Sequence, residues 1–457
     1  MTAIRPAAVA GMFYPAEFAE ASRQIQSFLT EAKTSGRPPP KAIIAPHAGW
    51  VYSGAVAASA YALLKPLRGI VKRVVLLGPA HRVGFRGMAL SSADQWASPL
   101  GPVHLDHQGA EQLKLLPLVG ELDQAHAQEH SLEVHVPFLQ AVLGEFLLLP
   151  LVIGDSNPEE VATLLDTVWG GDETLIVIST DLSHYLDYAT CQTTDKATVT
   201  AIETMNPDAI ERDGACGRIP VGGLLVAAKR RGLEIVTLDI RNSGDTCGPK
   251  DRVVGYGAWA LYETEASRAL NGEGAIRAMG QILTDLAWAS LRHGLETGKP
   301  LPPPAERPGP LALPGAVFVT LLRHGQLRGC IGSVMAWRPL AEDLTENAFK
   351  AAFHDPRFTP LTAPEMEGLT LSLSVLTPPQ PMTFGNEADL LAQLRPRIDG
   401  LIIEDSGKRA LFLPSVWEQL PDKRQFLAHL KVKGGMAAHH WSPGFKASTF
   451  QAIEIGK

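Results

Sequence analysis

Cysteine is scarce. The 457 residues contain four, Cys191, Cys216, Cys247 and Cys330, with no CxxC pair among them. That excludes a disulfide framework and a cysteine-rich zinc site, and it points to a reducing compartment, the cytoplasm. Long apolar runs are missing as well. The longest, Phe146–Ile153, is bounded by Glu145 and Asp155. It is far short of the ~20 residues of a membrane-spanning helix and reads as a buried strand. Residues Met1–Gly11 lack the apolar core of a secretory signal, since Pro6 breaks their short Ala/Val stretch. Nor is there an excess of positive charge. Lys and Arg total 41 against 48 Asp and Glu, a net charge of −7, which excludes a chain-wide basic surface for nucleic acid. What is present is ordinary globular material, 45% apolar and 19% charged, enough for two to four domains.

Between about residues 40 and 260, apolar runs alternate with helix-like stretches. Ala42–Ala45, Val74–Leu77, Phe146–Ile153 and Leu175–Ser179 read as buried strands; Ala55–Leu64 and Pro158–Val168 read as helices. Such alternation predicts an α/β domain, a mostly parallel sheet covered by helices. The pattern changes at Glu263–Gly274, which is small and polar. Beyond it Ile276, Met279, Ile282, Leu283 and Leu286 mark one helical face. Pro300–Pro314 is proline-rich, Leu369–Val375 alternates as a half-buried strand, and Asp405-Ser406-Gly407 joins two apolar runs as a hairpin. Charge shifts too: residues 272–457 carry 19 Lys/Arg and 18 Asp/Glu, so the acidic excess lies in the front part. The expected domains are 1–262 and 274–457, with 263–273 as linker, and the second is expected to be α+β.

Three expected strands end on chemistry. His47 follows Ala42–Ala45, His81 follows Val74–Leu77, and Asp181 and His184 follow Leu175–Ser179. Ligands of open α/β sheets bind outside the carboxyl ends of the strands. One histidine in such a place is an ordinary loop residue; three strand ends together predict a site. Two neutral imidazoles can share a transition metal, with Asp181 and Cys247 as candidate third ligands. Cys247 lies in the polar, turn-rich Asn242–Pro249 segment, where a thiol can ionise. Cys216, before the apolar Ile219–Val226, reads as buried and structural. Glu129-His130-Ser131-Leu132-Glu133-Val134-His135 is not HExxH and reads equally well as a solvated helix start, with Glu129 and Glu133 on one face.

Ala45–Gly54, Gly78–His81, Glu129–His135, Ser179–His184 and Cys216-Gly217 together resemble the MEMO family over about residues 5–263. That family is related in fold to class III extradiol ring-cleavage dioxygenases, which use non-haem Fe(II). The resemblance implies a pocket lined by His47, His81 and Cys247 as metal ligands, with Asp181 and His184 beside it in catalytic roles. His184 would move protons and Asp181 would orient it. Fe(II) is the implied metal. The dioxygenases use a carboxylate as third ligand, and thiolate plus two imidazoles also suits copper or zinc.

In the second domain Leu327-Arg328-Gly329-Cys330-Ile331-Gly332-Ser333 follows the expected strand Val317–Leu322. Arg328 near Cys330 would favour a thiolate nucleophile; a packed cysteine between geometry-setting glycines is the alternative. This run, Asn347–Phe358 and Leu413–Trp417 resemble the AMMECR family over about residues 272–457. MEMO-like and AMMECR-like proteins occur with a radical-SAM protein in a three-part system, AmmeMemoRadiSam, so the resemblance implies a radical-SAM partner. The expected function is a metal-dependent, non-haem-iron oxygenase-like redox enzyme whose substrate, a small molecule or a macromolecule, the sequence does not name. Copper or iron binding without turnover, and RNA or protein modification, are the alternatives.

Overall fold

The computed structural model describes residues 2–33, 36–265, 267, 273–305, 307 and 309–456. Part of the expected linker, residues 266 and 268–272, lies outside them. The chain divides into two compact units, Met1–Arg268 and Ala269–Lys457.

Among the described residues the first unit contains a nine-stranded sheet. Its strands are β1 (Ala42–Ala45), β2 (Arg73–Pro79), β3 (Met88–Leu90), β4 (Val119–Glu121), β5 (Leu147–Ile153), β6 (Thr174–Ser179), β7 (His184–Leu186), β8 (Glu234–Asn242) and β9 (Val253–Tyr262). The order is β7-β9-β1-β6-β2-β5-β3-β4, with β8 also paired to β9. The centre, β1-β6-β2-β5, is parallel. Antiparallel pairs on both flanks, β1 with β9 and β5 with β3, make the sheet mixed.

The central strands alternate between two cores. Ile43, Val74, Leu76, Leu148, Leu175 and Val177 face one; Ile44, Val75, Leu77, Leu149, Ile176 and Ile178 face the other. With both faces covered, no polar alternation is required, which is why the sequence shows continuous Ile/Val/Leu runs. Helices Phe18–Glu31, Trp50–Tyr61 and Val136–Leu143 cover the first face. Helices Pro158–Val168 and Arg218–Arg231 pack on the second. The expected helix Ala55–Leu64 starts earlier, at Trp50 after the N-cap Gly49, and tightens into a 3₁₀ turn over Ala62–Leu67.

Glu129 and Glu133 do not share a helical face. The chain enters a 3₁₀ turn only at Glu133–His135, because both carboxylates turn inward to collect donors. Glu133 accepts from Arg5 Nη1 at 2.7 Å, from the Ala8 and Val9 N–H groups at 2.8 and 2.9 Å, and from the Tyr14 hydroxyl at 2.7 Å. Charge-assisted bonds of this kind tie the N-terminal segment to the sheet edge.

The second unit is α+β, with two antiparallel four-stranded sheets among its described residues. One has the order β11 (Gln326–Gly332), β10 (Ala316–Arg323), β12 (Leu369–Leu376), β17 (Ala452–Ile455). Helices Gly280–Thr297 and Leu340–Phe353 pack on it through Leu283, Ala287, Leu344 and Ala348. The other has the order β13 (Gln380–Pro381), β16 (Lys446–Phe450), β14 (Gly400–Asp405), β15 (Lys408–Phe412). The β14–β15 turn has φ of +51° at Ser406 and +74° at Gly407, the left-handed pair a tight hairpin needs.

Candidate metal centre

The adjacent parallel strands β1, β6 and β2 end at one edge, with Ala45 level with Ser179. His47, Asp181 and His81 each stand two residues beyond a strand end, so the topology delivers all three to one place. A fourth chain segment completes it. Helix Arg218–Arg231 begins beside β6, with Gly217 as N-cap. A Cβ on Gly217 would lie 2.5 Å from the Ser179 carbonyl oxygen. Glycine therefore permits the approach that brings Cys216 over the site, and the Gly217 N–H bonds Thr180 Oγ1 at 2.9 Å.

One ligand atom each from His47, His81 and Cys216 lies within 4.8 Å of the others. Cys216 Sγ is 3.4 Å from His47 Nε2, and ligands of a tetrahedral ion with bonds of 2.0–2.3 Å are about 3.3–3.8 Å apart. The donor set suits a borderline-soft transition metal. The expectation for the thiol ligand is corrected here: Cys247 is not in this group. It ends the short helix Ser243–Thr246 and is exposed. Its polar, turn-rich surroundings are those of a surface loop. Cys216 takes the place instead, and its partial burial is compatible with ligation.

His81 faces solvent but is held. Glu129 Oε1 is 2.9 Å from His81 Nδ1, and Glu129 Oε2 accepts the His81 N–H at 2.6 Å. A carboxylate on Nδ1 leaves Nε2 free to ligate. Glu129 also accepts the His130 and Ser131 N–H groups, both at 3.0 Å. Burial opposes its ionisation, but the bonds from His81 and Ser131 outweigh this and hold its pKa at about 2. His130 is a neighbour the sequence reasoning passed over. Its ring lies 4.7 Å from that of His81 and 5.4 Å from that of His47, and His81, Glu129 and His130 form a second close group. Its signal was the polar density of the Glu129–His135 run.

Asp181 sits against His47. Its Oδ1 accepts the His47 N–H at 2.8 Å, and Oδ2 is 4.0 Å from His47 Nε2. Burial pushes its carboxyl up, against the opposing pull of His184 and the His47 N–H. His184 opens β7 and is partly exposed. Burial pushes the His47 pKa well down, helped by His81 and His130, so the imidazole is neutral and able to ligate. Burial also pushes the Cys216 thiol up to about 12. A bound cation would reverse that, since a coordinating thiol is deprotonated outright. Beside Cys216 a cleft of about 260 Å³ opens, walled by Pro79, Phe85, Ile153, Ile219 and Pro220.

In the second unit Cys330 is half-buried. Thr320 Oγ1 donates to its Sγ at 3.4 Å, and Arg357 Nη2 donates to its carbonyl at 3.2 Å. Arg328, expected to supply positive charge to this thiol, is bonded to Glu365 at 2.9 and 3.1 Å and to the Thr359 carbonyl at 2.9 Å. Arg357 is the guanidinium beside Cys330, and it is paired at 2.7 and 2.9 Å with Asp355, whose Oδ2 accepts the Cys330 N–H at 2.8 Å. The neighbouring glycines have packing reasons: a Cβ on Gly329 would lie 2.0 Å from the Ala351 carbonyl oxygen, and one on Gly332 would lie 2.2 Å from the Phe318 ring.

Among the described residues no helix is long and apolar enough to cross a membrane. The family described as Memo-like protein matches residues 5–260, and the AMMECR1 family matches residues 284–455. A MEMO1 family protein of Aquifex aeolicus is 34% identical over 264 residues, covering 55% of this chain and 97% of its own length. One from Aeropyrum pernix is 35% identical over 279 residues, covering 56% and 98%. A solved structure of uncharacterized protein PH0010 from Pyrococcus horikoshii is 34% identical, with a TM-score of 0.36, and covers 38% of this chain and 90% of that one. The chain belongs to the Memo family, with its Memo domain joined in one polypeptide to an AMMECR1 domain.

Proposed function

We propose that the Memo domain is a metal-dependent redox enzyme acting on a small molecule bound in the cleft beside Cys216. The observation that carries this is the convergence of His47, His81 and Cys216 from three distant segments, with donor atoms within 4.8 Å of one another. The fold relationship of the family to extradiol dioxygenases supports oxygenase-like chemistry. Fe(II) is the proposed metal; copper and zinc suit the same ligands. His47 Nε2, His81 and Cys216 Sγ would hold it, and the ion would supply Lewis acidity and one-electron chemistry.

The chain's own groups then have separate tasks. Asp181, buried and with its pKa raised, can hold a proton under the ligands. His184, at the start of β7 and open to solvent on one side, would exchange protons with the exterior. The apolar walls Phe85, Ile153 and Ile219 would take the apolar part of a substrate and keep water from it. Cys330, beside Arg357, is the proposed nucleophile of the AMMECR1 domain, and a radical-SAM protein is the proposed partner.

Elemental analysis of anaerobically purified protein tests the centre. About one equivalent of iron is expected, with loss of the metal in His47→Ala. Absence of iron, copper and zinc from the wild-type protein would overturn it. Dioxygen consumption by the iron-loaded protein separates turnover from simple metal storage.

A further inference from the structure

Behind His47 a chain of buried polar groups runs away from the candidate metal centre into the core. Ser179 Oγ has three partners. It lies 2.6 Å from the Ser131 carbonyl oxygen, 2.6 Å from His47 Nδ1 and 2.8 Å from His135 Nε2. His135 Nδ1 in turn lies 2.5 Å from the Tyr61 hydroxyl. His47 and His135 are each 1% exposed, and Ser179 and Tyr61 are fully buried. The protons can therefore be assigned among these groups.

One assignment satisfies every contact at once. A hydroxyl has one hydrogen, and a carbonyl oxygen only accepts. In this assignment the Ser179 hydrogen goes to Ser131 and both facing ring nitrogens donate to Ser179 Oγ. His47 is thus protonated on Nδ1, which leaves its Nε2 lone pair bare beside Cys216 Sγ. Burial pushes the His135 pKa down to about 3, so His135 is neutral. With its proton on Nε2, its Nδ1 accepts from the Tyr61 hydroxyl. The opposite arrangement would give the serine hydrogen to His47 and leave the Ser131 carbonyl to the His135 ring alone, losing the 2.6 Å bond from Ser179.

We infer that Ser179, His135 and Tyr61 are positioning residues that lock His47 in the Nδ1–H tautomer, so that Nε2 is offered to the metal before any metal arrives. The inference rests on the metal reading for its purpose, but the tautomer belongs to the metal-free protein. His81 obtains the same result from the Glu129 carboxylate, whereas His47 obtains it from a neutral chain that adds no charge beneath the ligands.

The test separates the two readings. Long-range nitrogen–proton spectra of metal-free protein with nitrogen-15-labelled histidine, with His47 assigned by comparison with His47→Gln, should show Nδ1 protonated and Nε2 bare at neutral pH. Ser179→Ala should shift His47 toward the Nε2–H form, and Ser179→Thr, which keeps the hydroxyl, should restore the wild-type pattern. Cobalt(II), titrated by its thiolate charge-transfer band, should bind Ser179→Ala about 10–100-fold more weakly, in line with other outer-shell substitutions. Ser179→Thr should recover most of that loss. His47 protonated on Nε2 in the wild-type protein would overturn the inference without any variant. So would Ser179→Ala with unchanged tautomer and unchanged cobalt affinity. Wild-type protein that binds no cobalt, yet shows the Nδ1–H tautomer, would instead reject the metal reading and leave the proton assignment standing.

Discussion

Cys216 Sγ stands 3.4 Å from His47 Nε2, across 169 residues of sequence. The Asp181 N–H also points at this sulfur, at 3.3 Å. The thiol is therefore an acceptor site prepared for negative charge, yet burial keeps it protonated until a cation arrives.

Thiol reactivity follows from this contrast. Cys247 is exposed and Cys216 is not, so iodoacetamide at pH 7.5 is expected to label Cys247 first. Cys216 should react at least tenfold more slowly, because the thiolate is the nucleophile and its pKa is raised. Peptide mass spectrometry over time checks the order. Cys247→Ala should leave metal content unchanged, and Cys216→Ala should lower it.

Glu129→Gln replaces a carboxylate that accepts from four N–H groups. An amide accepts at one end only. The expected outcome is a loss of about 1–3 kcal/mol in stability for the bonds left unmade. A fall of about 10–100-fold in metal affinity, as His81 loses its orienting partner, should accompany it. Urea unfolding and metal titration measure the two effects separately.

Acid should weaken the first unit. His126 is buried, donates from Nε2 to the Ala89 carbonyl, and has its pKa lowered to about 4 by burial. Between pH 6.5 and 4 the unfolded chain binds a proton there that the folded chain does not. Stability from this group is complete above 6.5 and is lost as pH falls toward 4. A shift of this size corresponds to about 3 kcal/mol. His126→Gln, which keeps an N–H for Ala89, should flatten the pH dependence measured by urea unfolding at pH 7, 5.5 and 4.5.

In the AMMECR1 domain the two arginines near Cys330 should behave differently. Arg357→Ala should slow alkylation of Cys330, because it leaves Asp355, which accepts the Cys330 N–H at 2.8 Å, as an unpaired carboxylate beside the thiol. Arg328→Ala should act on folding instead, since it strips Glu365 and the Thr359 carbonyl of their donors, at a cost of about 1–3 kcal/mol. Rates of Cys330 labelling and thermal midpoints distinguish the two; equal labelling in wild-type and Arg357→Ala protein would remove the charge argument.

The strands and the places of His47 and His81 were legible because both depend on short-range pattern. Buried parallel strands are continuous apolar runs, and a histidine just after one is visible by inspection. His47, His81, Asp181 and His184 all follow strands in this way. Cys216 was not legible, because its place depends on how closely the start of helix Arg218–Arg231 approaches β6, a tertiary property that the adjacent Gly217 permits but does not announce. The same holds for Glu129 and His130, whose segment resembled a solvated helix until its carboxylates were seen to collect backbone N–H groups. Cys247 drew attention through polar surroundings that are the signature of an exposed turn. Arg328 adjoins Cys330 in sequence, yet it turns to Glu365, and Arg357 arrives from the loop after helix Leu340–Phe353.

The parallel centre of the sheet has one further consequence. Because His47 and His81 follow strands β1 and β2 and Cys216 precedes a helix more than 130 residues beyond His81, no fragment shorter than the 170 residues from His47 to Cys216 contains the set. An ion bound there would be a cross-link that exists only in the native state. By mass action its occupancy adds RT ln(1 + [M]/Kd) to the unfolding free energy, about 2.7 kcal/mol at a hundredfold excess over Kd. The metal supply of the cell would then set the lifetime of the folded domain as well as its chemistry.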